Sequence, residues 1–169
     1  MKKSIIFLSL GLFILTLFAS KSAKGQQKEE VLIKEINAFV DQWHSDAAHA
    51  NKDYFKKIDE HGVFIGTDKK EVWTREEFYN FSKKYFDRGK AWDFKATERH
   101  IYFSDNKNYA WFDELLDTWM GPCRSSGVLK HAKNGWLIVH YQLSLAVPNE
   151  IIKEVIKLIK TSDSTAVQK

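Results

Sequence analysis

The 169-residue sequence has few of the residues that mark several common classes of protein. Its single cysteine, Cys123, excludes an intrachain disulfide framework and the paired cysteines of structural zinc sites. Two prolines and eight glycines exclude collagen-like and low-complexity chains. There is no glycine-rich phosphate loop, H-E-x-x-H pair or G-x-S-x-G turn. The sequence therefore predicts one globular domain without a cofactor or a bound metal.

The positive charge of the chain is concentrated at one end. The formal net charge is +4, from 26 basic and 22 acidic residues. The first 25 residues contain no acid and include Lys2, Lys3, Lys21 and Lys24, so the rest of the chain is neutral. Phosphate binding requires clustered, uncompensated cations, because counterion release supplies most of the affinity. We therefore expect no nucleic-acid partner.

The N-terminus has the three parts of a secretory signal peptide. Two lysines precede the apolar run 5–18. Ala23 and Gly25 are small residues at the two positions before the cleavage site that signal peptidase recognises. The run is shorter than the roughly 20 residues that span a bilayer. We predict a signal peptide at 1–25 with cleavage before Gln26, and a periplasmic or secreted protein with no membrane attachment after cleavage. The mature domain is predicted at 26–161, followed by a flexible tail at 162–169.

Apolar residues recur first at helical spacing and later at strand spacing. Thr74 and Glu77 have the spacing of a capping box that opens a helix, and Asn134-Gly135 is a strong hairpin signal. The predicted helices are 29–50, 53–58, 75–88 and 150–160, and the predicted strands are 62–66, 92–104, 109–118, 123–132 and 136–147. This order indicates an α+β fold with helices on one face of a curved antiparallel sheet, which can enclose a ligand cavity.

The segment 135–144, GWLIVHYQLS, resembles the last strand of SnoaL-like proteins of the nuclear transport factor 2 (NTF2) superfamily. The resemblance extends to Gly66-Thr67-Asp68, Trp73 with Phe78, Arg99-His100, the run from Ala110 to Glu114, Arg124, and the run from Gly127 to Leu129. It covers about Val31 to Asn149. The resemblance implies an NTF2-like (cystatin-like) cone, with N-terminal helices packed on a curved antiparallel sheet, and this chain would add a C-terminal helix.

The superfamily includes polyketide cyclases, a steroid isomerase, dehydratases and non-catalytic binding or assembly modules, so the resemblance leaves the function open. Sheets of the superfamily often pair into dimers, which implies a homodimer through the sheet as one possibility for this chain. Gln142 stands where many relatives have a second histidine. A metal or acid–base role that depends on that histidine is not expected here.

Two adjacent carboxylates, Asp113 and Glu114, are the candidate general bases. Strand alternation turns only one of them inward, and Asp113 is the first choice because it shares a face with Trp111. In an enzyme of the isomerase, cyclase or dehydratase kind, Arg124 or His140 would stabilise the oxyanion. The alternative is a structural ion pair with Arg99 or Arg124.

Candidate ligand contacts come from aromatic and polar strand residues. On simple alternation the last strand places Trp136, Ile138, His140, Gln142 and Ser144 on one face. The full set of candidate ligand-binding residues is Trp43, Trp73, Trp92, Arg99, Trp111, Arg124, Trp136 and Gln142. The tryptophans could instead form an ordinary core.

Three hypotheses follow. The first is an exported protein that binds a small hydrophobic or aromatic molecule in the cavity. The second is a cofactor-independent isomerase, cyclase or dehydratase that uses Asp113 or Glu114 as its base, with His140 assisting. The third is a dimeric assembly module without a ligand.

Overall fold

The computed structural model describes residues 3–167, with side chains described for residues 25–162. The chain divides into two compact units, residues 1–43 and 44–169. The helices are α1 (Lys3–Ala48), α2 (Asp53–Lys56), α3 (Arg75–Phe86) and α4 (Ile152–Val167), and a 3-10 turn at Asn149–Ile151 precedes α4. The strands are β1 (Ile58–Ile65), β2 (Val72–Thr74), β3 (Lys95–Phe103), β4 (Tyr109–Asp117), β5 (Cys123–Ala132) and β6 (Gly135–Leu145).

The described part of the first unit lies within α1, which includes most of the predicted helix 29–50 and runs across the predicted signal-peptide boundary. Ile36, Val40 and Trp43 are fully or almost fully buried and recur at steps of four and three residues, which place them on one helix face. In the part of the chain that the structure describes, no helix combines the length and apolar character needed to cross a membrane. Signal cleavage stays a prediction.

The second unit is built on a six-stranded sheet of order β2-β1-β6-β5-β4-β3. Strands β3 to β6 form the antiparallel meander that the sequence predicts. The expectation of a wholly antiparallel sheet is wrong in one respect, because β1 pairs in parallel with β6. The edge strand β2 was not predicted, since three residues are too few to display a period of two. The α+β class is confirmed, with a mixed sheet.

The helix α3 begins with the predicted capping box and packs against β1 and β2. The Thr74 hydroxyl accepts the backbone N–H of Glu77, and the Glu77 carboxylate accepts the backbone N–H of Thr74 at 2.9 Å. This reciprocal pair satisfies two amides that have no partner within the helix. Fixing the start of α3 in this way sets which of its side chains face the sheet.

A β-bulge in β6 changes which side chains share a face. Val128 pairs with His140 while the next residue, Leu129, pairs with Ile138, so Val139 is an extra residue. Ile138 and Tyr141 are therefore both buried, whereas a regular strand would turn them to opposite faces. The prediction that one face carries Trp136 and Ile138 together with His140, Gln142 and Ser144 is wrong, because the phase of the strand shifts at the bulge.

The strand β4 alternates cleanly. Ala110, Phe112, Glu114 and Leu116 are buried on the face that we call the inner face. Trp111 and Asp113 point to the opposite, outer face. The preference for Asp113 as the inward carboxylate is therefore wrong, and Glu114 is the one that points inward.

The C-terminal helix is longer than predicted. It was expected to end at Lys160, but α4 continues to Val167 and so enters the predicted tail 162–169. Apolar residues of its first turns, including Ile152 and Ile156, are exposed.

Candidate functional site

The second unit contains an aromatic cavity of about 310 Å³. Eight of its fourteen lining residues are aromatic. The lining consists of Phe64, Gly66, Thr67, Glu71, Trp73, Phe78, Phe81, Tyr85, Ala91, Trp92, Phe94, Trp119, Met120 and Leu143. This volume is at the lower end of the range found for small-molecule sites, which runs from roughly 300 to 1,000 Å³. We refer to it below as the aromatic cavity.

One wall of the aromatic cavity comes from α3. Phe78, Phe81 and Tyr85 follow the three- and four-residue spacing that aligns side chains on one helix face. Phe78 is buried and stacks on Phe64 of β1 with ring centroids 3.8 Å apart. Phe81 is more exposed and stacks on Trp73 of β2 at 4.6 Å. Both stacked pairs line the cavity, one of them buried and the other partly exposed.

Another part of the lining comes from the turn between β4 and β5. Trp119 lines the aromatic cavity yet is 81% exposed, so most of its ring faces solvent. Thr118 holds this turn through its hydroxyl, which accepts the backbone N–H of Met120 at 3.0 Å and donates to the carbonyl of Gly121 at 2.8 Å. The turn therefore presents Trp119 at the mouth of the cavity on a hydrogen-bonded support.

Glu114 is the centre of a buried polar cluster on the inner face, which we call the Glu114 cluster. Its Oε1 accepts hydrogen bonds from the Ser125 hydroxyl and from Nε2 of His44, both at 2.8 Å. Its Oε2 accepts from Nε of Arg99, also at 2.8 Å. The Glu114 side chain is fully buried, and those of His44 and Arg99 are each only 6% exposed. Tyr141 lies beside the cluster and is buried as well.

These partners determine the protonation state of Glu114. Burial alone raises the pKa of a carboxyl group, but His44, Arg99 and Ser125 together outweigh it and hold the pKa of Glu114 below its usual value. Burial raises the pKa of Tyr141 well above its ordinary value, and the negative charge of Glu114 adds to that shift. Glu114 is thus an ionised, hydrogen-bonded anchor, with little tendency to accept a proton near neutral pH.

The Glu114 cluster does not line the aromatic cavity. None of Glu114, Arg99, Ser125 and His44 is among the residues that line the cavity. Phe94 does line it, and its ring centroid lies 6.4 Å from that of His44. The cavity therefore offers an apolar binding surface and no carboxylate of this cluster to a bound molecule.

The amino-acid sequence matches one known protein family over most of its length. Residues 36–148 match the SnoaL-like domain family, which is more than half of the chain. The chain belongs to the SnoaL-like domain family. No curated protein matches the chain.

Solved structures agree with this SnoaL-like assignment at the level of fold. An NTF2-like protein of unknown function from Pseudomonas putida KT2440 aligns with a TM-score of 0.57 at 10% identity, over 69% of this chain and 88% of that one. The association domain of C. elegans CaMKII aligns with a TM-score of 0.57 at 12% identity, over 70% and 98%. A Catenulispora acidiphila protein in complex with S-DNPA aligns with a TM-score of 0.55 at 16% identity, over 68% and 93%. The SnoaL-like protein therefore has the NTF2-like fold.

Asp113 lies on the outer face of the SnoaL-like domain. Its Oδ1 is 3.3 Å from Nδ1 of His100 and 3.3 Å from a guanidinium nitrogen of Arg124, and Tyr102 donates its hydroxyl to Oδ2 at 3.4 Å. A second, outer groove of about 380 Å³ is lined by both Asp113 and His140, and neither residue lines the aromatic cavity. The alternative of a structural ion pair fits Asp113 with Arg124, and it fits Glu114 with Arg99.

The predicted ligand-binding residues fall into three places. Trp73 and Trp92 line the aromatic cavity. Trp111 lies on the outer face with Arg124 and Gln142, which are exposed there. Trp43 and Trp136 are buried, and Arg99 belongs to the Glu114 cluster. The fold therefore separates residues that were predicted to share one site, because strand alternation does not determine which face of the sheet meets the cavity.

Several cavity residues were absent from the predicted site. They are Phe64, Phe78, Phe81, Tyr85, Phe94, Trp119 and Met120. The helical spacing of the α3 aromatics was visible in the sequence and could have supplied three of them. Nothing in the sequence placed the turn at Trp119 beside α3. Among the residues that the structure describes, no group of three or more His, Cys, Asp or Glu side chains is arranged to hold a metal ion.

Proposed function

We propose that this SnoaL-like protein is an exported binding protein that takes a small hydrophobic or aromatic molecule into the aromatic cavity. The observation that carries the proposal is the wall of eight aromatic rings, some of them partly exposed, around about 310 Å³ of space. Flat apolar molecules gain from such a wall, since aromatic side chains offer large contact areas and favour offset or edge contacts. Export rests on the signal-peptide pattern of residues 1–25.

The positions of the two candidate general bases, Asp113 and Glu114, favour binding over catalysis in the aromatic cavity. A general base must lie within hydrogen-bonding reach of the proton that it removes. Asp113 and Glu114 lie away from the aromatic cavity and are paired with Arg124 and Arg99. A structural neighbour in complex with S-DNPA is consistent with ligand binding in a fold of this kind.

Occupancy of the cavity can be tested with a variant that fills it. Ala91 lines the aromatic cavity, so Ala91→Trp places an indole in the space that we propose the ligand occupies. Ala96 is exposed on β3, and Ala96→Trp is the matched control. Native mass spectrometry of the purified full chain is expected to show a co-purifying small molecule with wild type and Ala96→Trp but not with Ala91→Trp. If the same fraction of all three proteins carries the co-purifying molecule, binding in this cavity is refuted.

Pairing through the outer face is a second candidate function. Tyr102 and Trp111 lie in a parallel stack with centroids 6.0 Å apart, and they are 45% and 44% exposed. Exposed aromatic pairs of this kind are enriched at protein interfaces. Sedimentation of Trp111→Asp is expected to show a monomer where wild type shows a dimer, with Trp119→Asp as a matched control that stays dimeric. A wild-type chain that sediments as a monomer at high concentration would dismiss this candidate.

A further inference from the structure

The aromatic cavity carries charge of one sign only. Glu71 is the acidic residue among its lining residues, and among the described residues no lysine, arginine or histidine lines it. The remaining lining is aromatic or small, apart from Thr67, Met120 and Leu143. A charged ligand group inside this cavity would therefore face the Glu71 carboxylate and the faces of aromatic rings. The Lys84 ammonium contacts two of these rings but is not part of the lining.

The loop between β1 and β2 fixes the position of Glu71. Its Oε2 accepts the backbone N–H of Asp68 at 3.1 Å, and its backbone carbonyl accepts the N–H of Gly66 at 2.9 Å. The carboxylate lies directly against Gly66, where a Cβ atom would be only 2.2 Å from Oε2. The side chain of Glu71 is half-buried at this point. The carboxylate is thus held beside the rings.

The rings of the α3 wall already receive a cation in this structure. The ammonium of Lys84 lies 4.9 Å from the centroid of Tyr85 and 5.5 Å from that of Phe81. Both distances are within the range of a cation–π interaction, in which the negative face of the ring attracts a positive group. Aromatic walls combined with a carboxylate are the surroundings that suit a quaternary or protonated amine.

We propose that the aromatic cavity selects organic cations, specifically a quaternary or protonated amine attached to a flat apolar group. This inference rests on the function proposed above and adds the charge of the ligand to it. A neutral ligand of the same shape makes the same apolar contacts but lacks attraction to Glu71 and to the ring faces. An anionic ligand of the same shape is repelled by both.

Three ligands of nearly equal shape but different charge distinguish the effect of ligand charge on affinity from the effect of apolar contact. They are (4-hydroxyphenyl)trimethylammonium, 4-tert-butylphenol and 4-hydroxybenzenesulfonate, which differ in charge at one end. Calorimetric titration of the full chain at low salt is expected to give a dissociation constant about tenfold lower for the ammonium compound than for the neutral one. The sulfonate is expected to bind more weakly than either.

Glu71→Gln tests the role of the carboxylate, because an amide oxygen can still accept the Asp68 N–H while the charge is lost. Glu76→Gln is the matched control, since Glu76 is exposed on α3 and does not line the cavity. The preference for ammonium over tert-butyl is expected to fall severalfold in Glu71→Gln and to be unchanged in Glu76→Gln.

The outcomes distinguish this inference from the function on which it rests. If the neutral compound binds as tightly as the ammonium compound, ligand binding stands and the selection of cations is wrong. If the preference survives intact in Glu71→Gln, the assignment to Glu71 is wrong. If none of the three compounds binds, both the inference and the proposed ligand-binding function fail.

Discussion

Replacing Glu114 by glutamine is expected to destabilise the fold more than any other single change of a carboxylate to its amide in the described chain. The substitution keeps the shape of the side chain but removes the negative charge that three donors share. Arg99 then loses the negative charge that it pairs with, and because the amide keeps only one acceptor oxygen, either Arg99 or the pair His44 and Ser125 faces an NH2 group. Breaking one partner of a buried pair costs about 3–5 kcal/mol. For a domain of this size that corresponds to a Tm lower by about 10 °C.

Urea denaturation followed by tryptophan fluorescence at pH 7 measures this effect. Asp113→Asn is the matched control, because Asp113 is the neighbouring residue and differs from Glu114 in facing outward with partly exposed partners. A surface ion pair is worth about 0–1 kcal/mol, so Asp113→Asn is expected to stay within that range. If Glu114→Gln is as stable as wild type, the Glu114 cluster does not anchor the sheet as described.

The pH dependence of the same pair of proteins has a definite sign. The pKa of Glu114 is lower in the folded protein than in the unfolded chain. Its contribution to stability is therefore complete above the unfolded value, about 4.3, and is lost as the pH falls through the folded value. The difference in unfolding free energy between wild type and Glu114→Gln is expected to narrow in acid. A difference that stays constant down to pH 3 would contradict the assigned pKa shift.

Three further changes test other parts of the structure. Thr74→Ala removes the hydroxyl of the capping box and is expected to cost about 1 kcal/mol of unfolding free energy in the same urea assay; no loss would mean that the cap is not formed in solution. Gly127→Ala places a Cβ 2.5 Å from the ring of Phe112, so that the ring must move, and is expected to cost about 1–3 kcal/mol; a neutral result would show that the inner face is loosely packed there. Trp119→Ala is expected to change the unfolding free energy by no more than about 0.5 kcal/mol, because Trp119 is largely exposed. Its affinity for (4-hydroxyphenyl)trimethylammonium, measured by calorimetry, is expected to be about fivefold weaker. Unchanged affinity would remove Trp119 from the site.

Most of the fold could be predicted from the sequence because its signals are local. The capping box at Thr74 and the Asn134-Gly135 turn each involve residues close in sequence, and both mark real element boundaries. The match to the SnoaL-like domain at residues 36–148 lies within the predicted mature domain. The parallel pairing of β1 with β6 could not be predicted in this way, since those strands are far apart in the chain.

The candidate site was harder to predict because it depends on which face of the sheet each side chain occupies. A bulge at Val139 moves His140 and Gln142 off the face that Ile138 occupies, and one extra residue leaves no clear mark in the sequence. Alternation correctly separated Asp113 from Glu114 but could not say which one points inward. The inward position of Glu114 follows from its three buried partners, one of which, His44, is 70 residues away.

Ligand binding in the aromatic cavity is tested most directly by the position of the bound molecule in a crystal of the full chain soaked with 4-tert-butylphenol. We expect electron density for the phenol between Trp73 and Trp92, in the aromatic cavity beside Glu71. Density confined to the outer groove at Trp111 and His140, with the aromatic cavity empty, would contradict it.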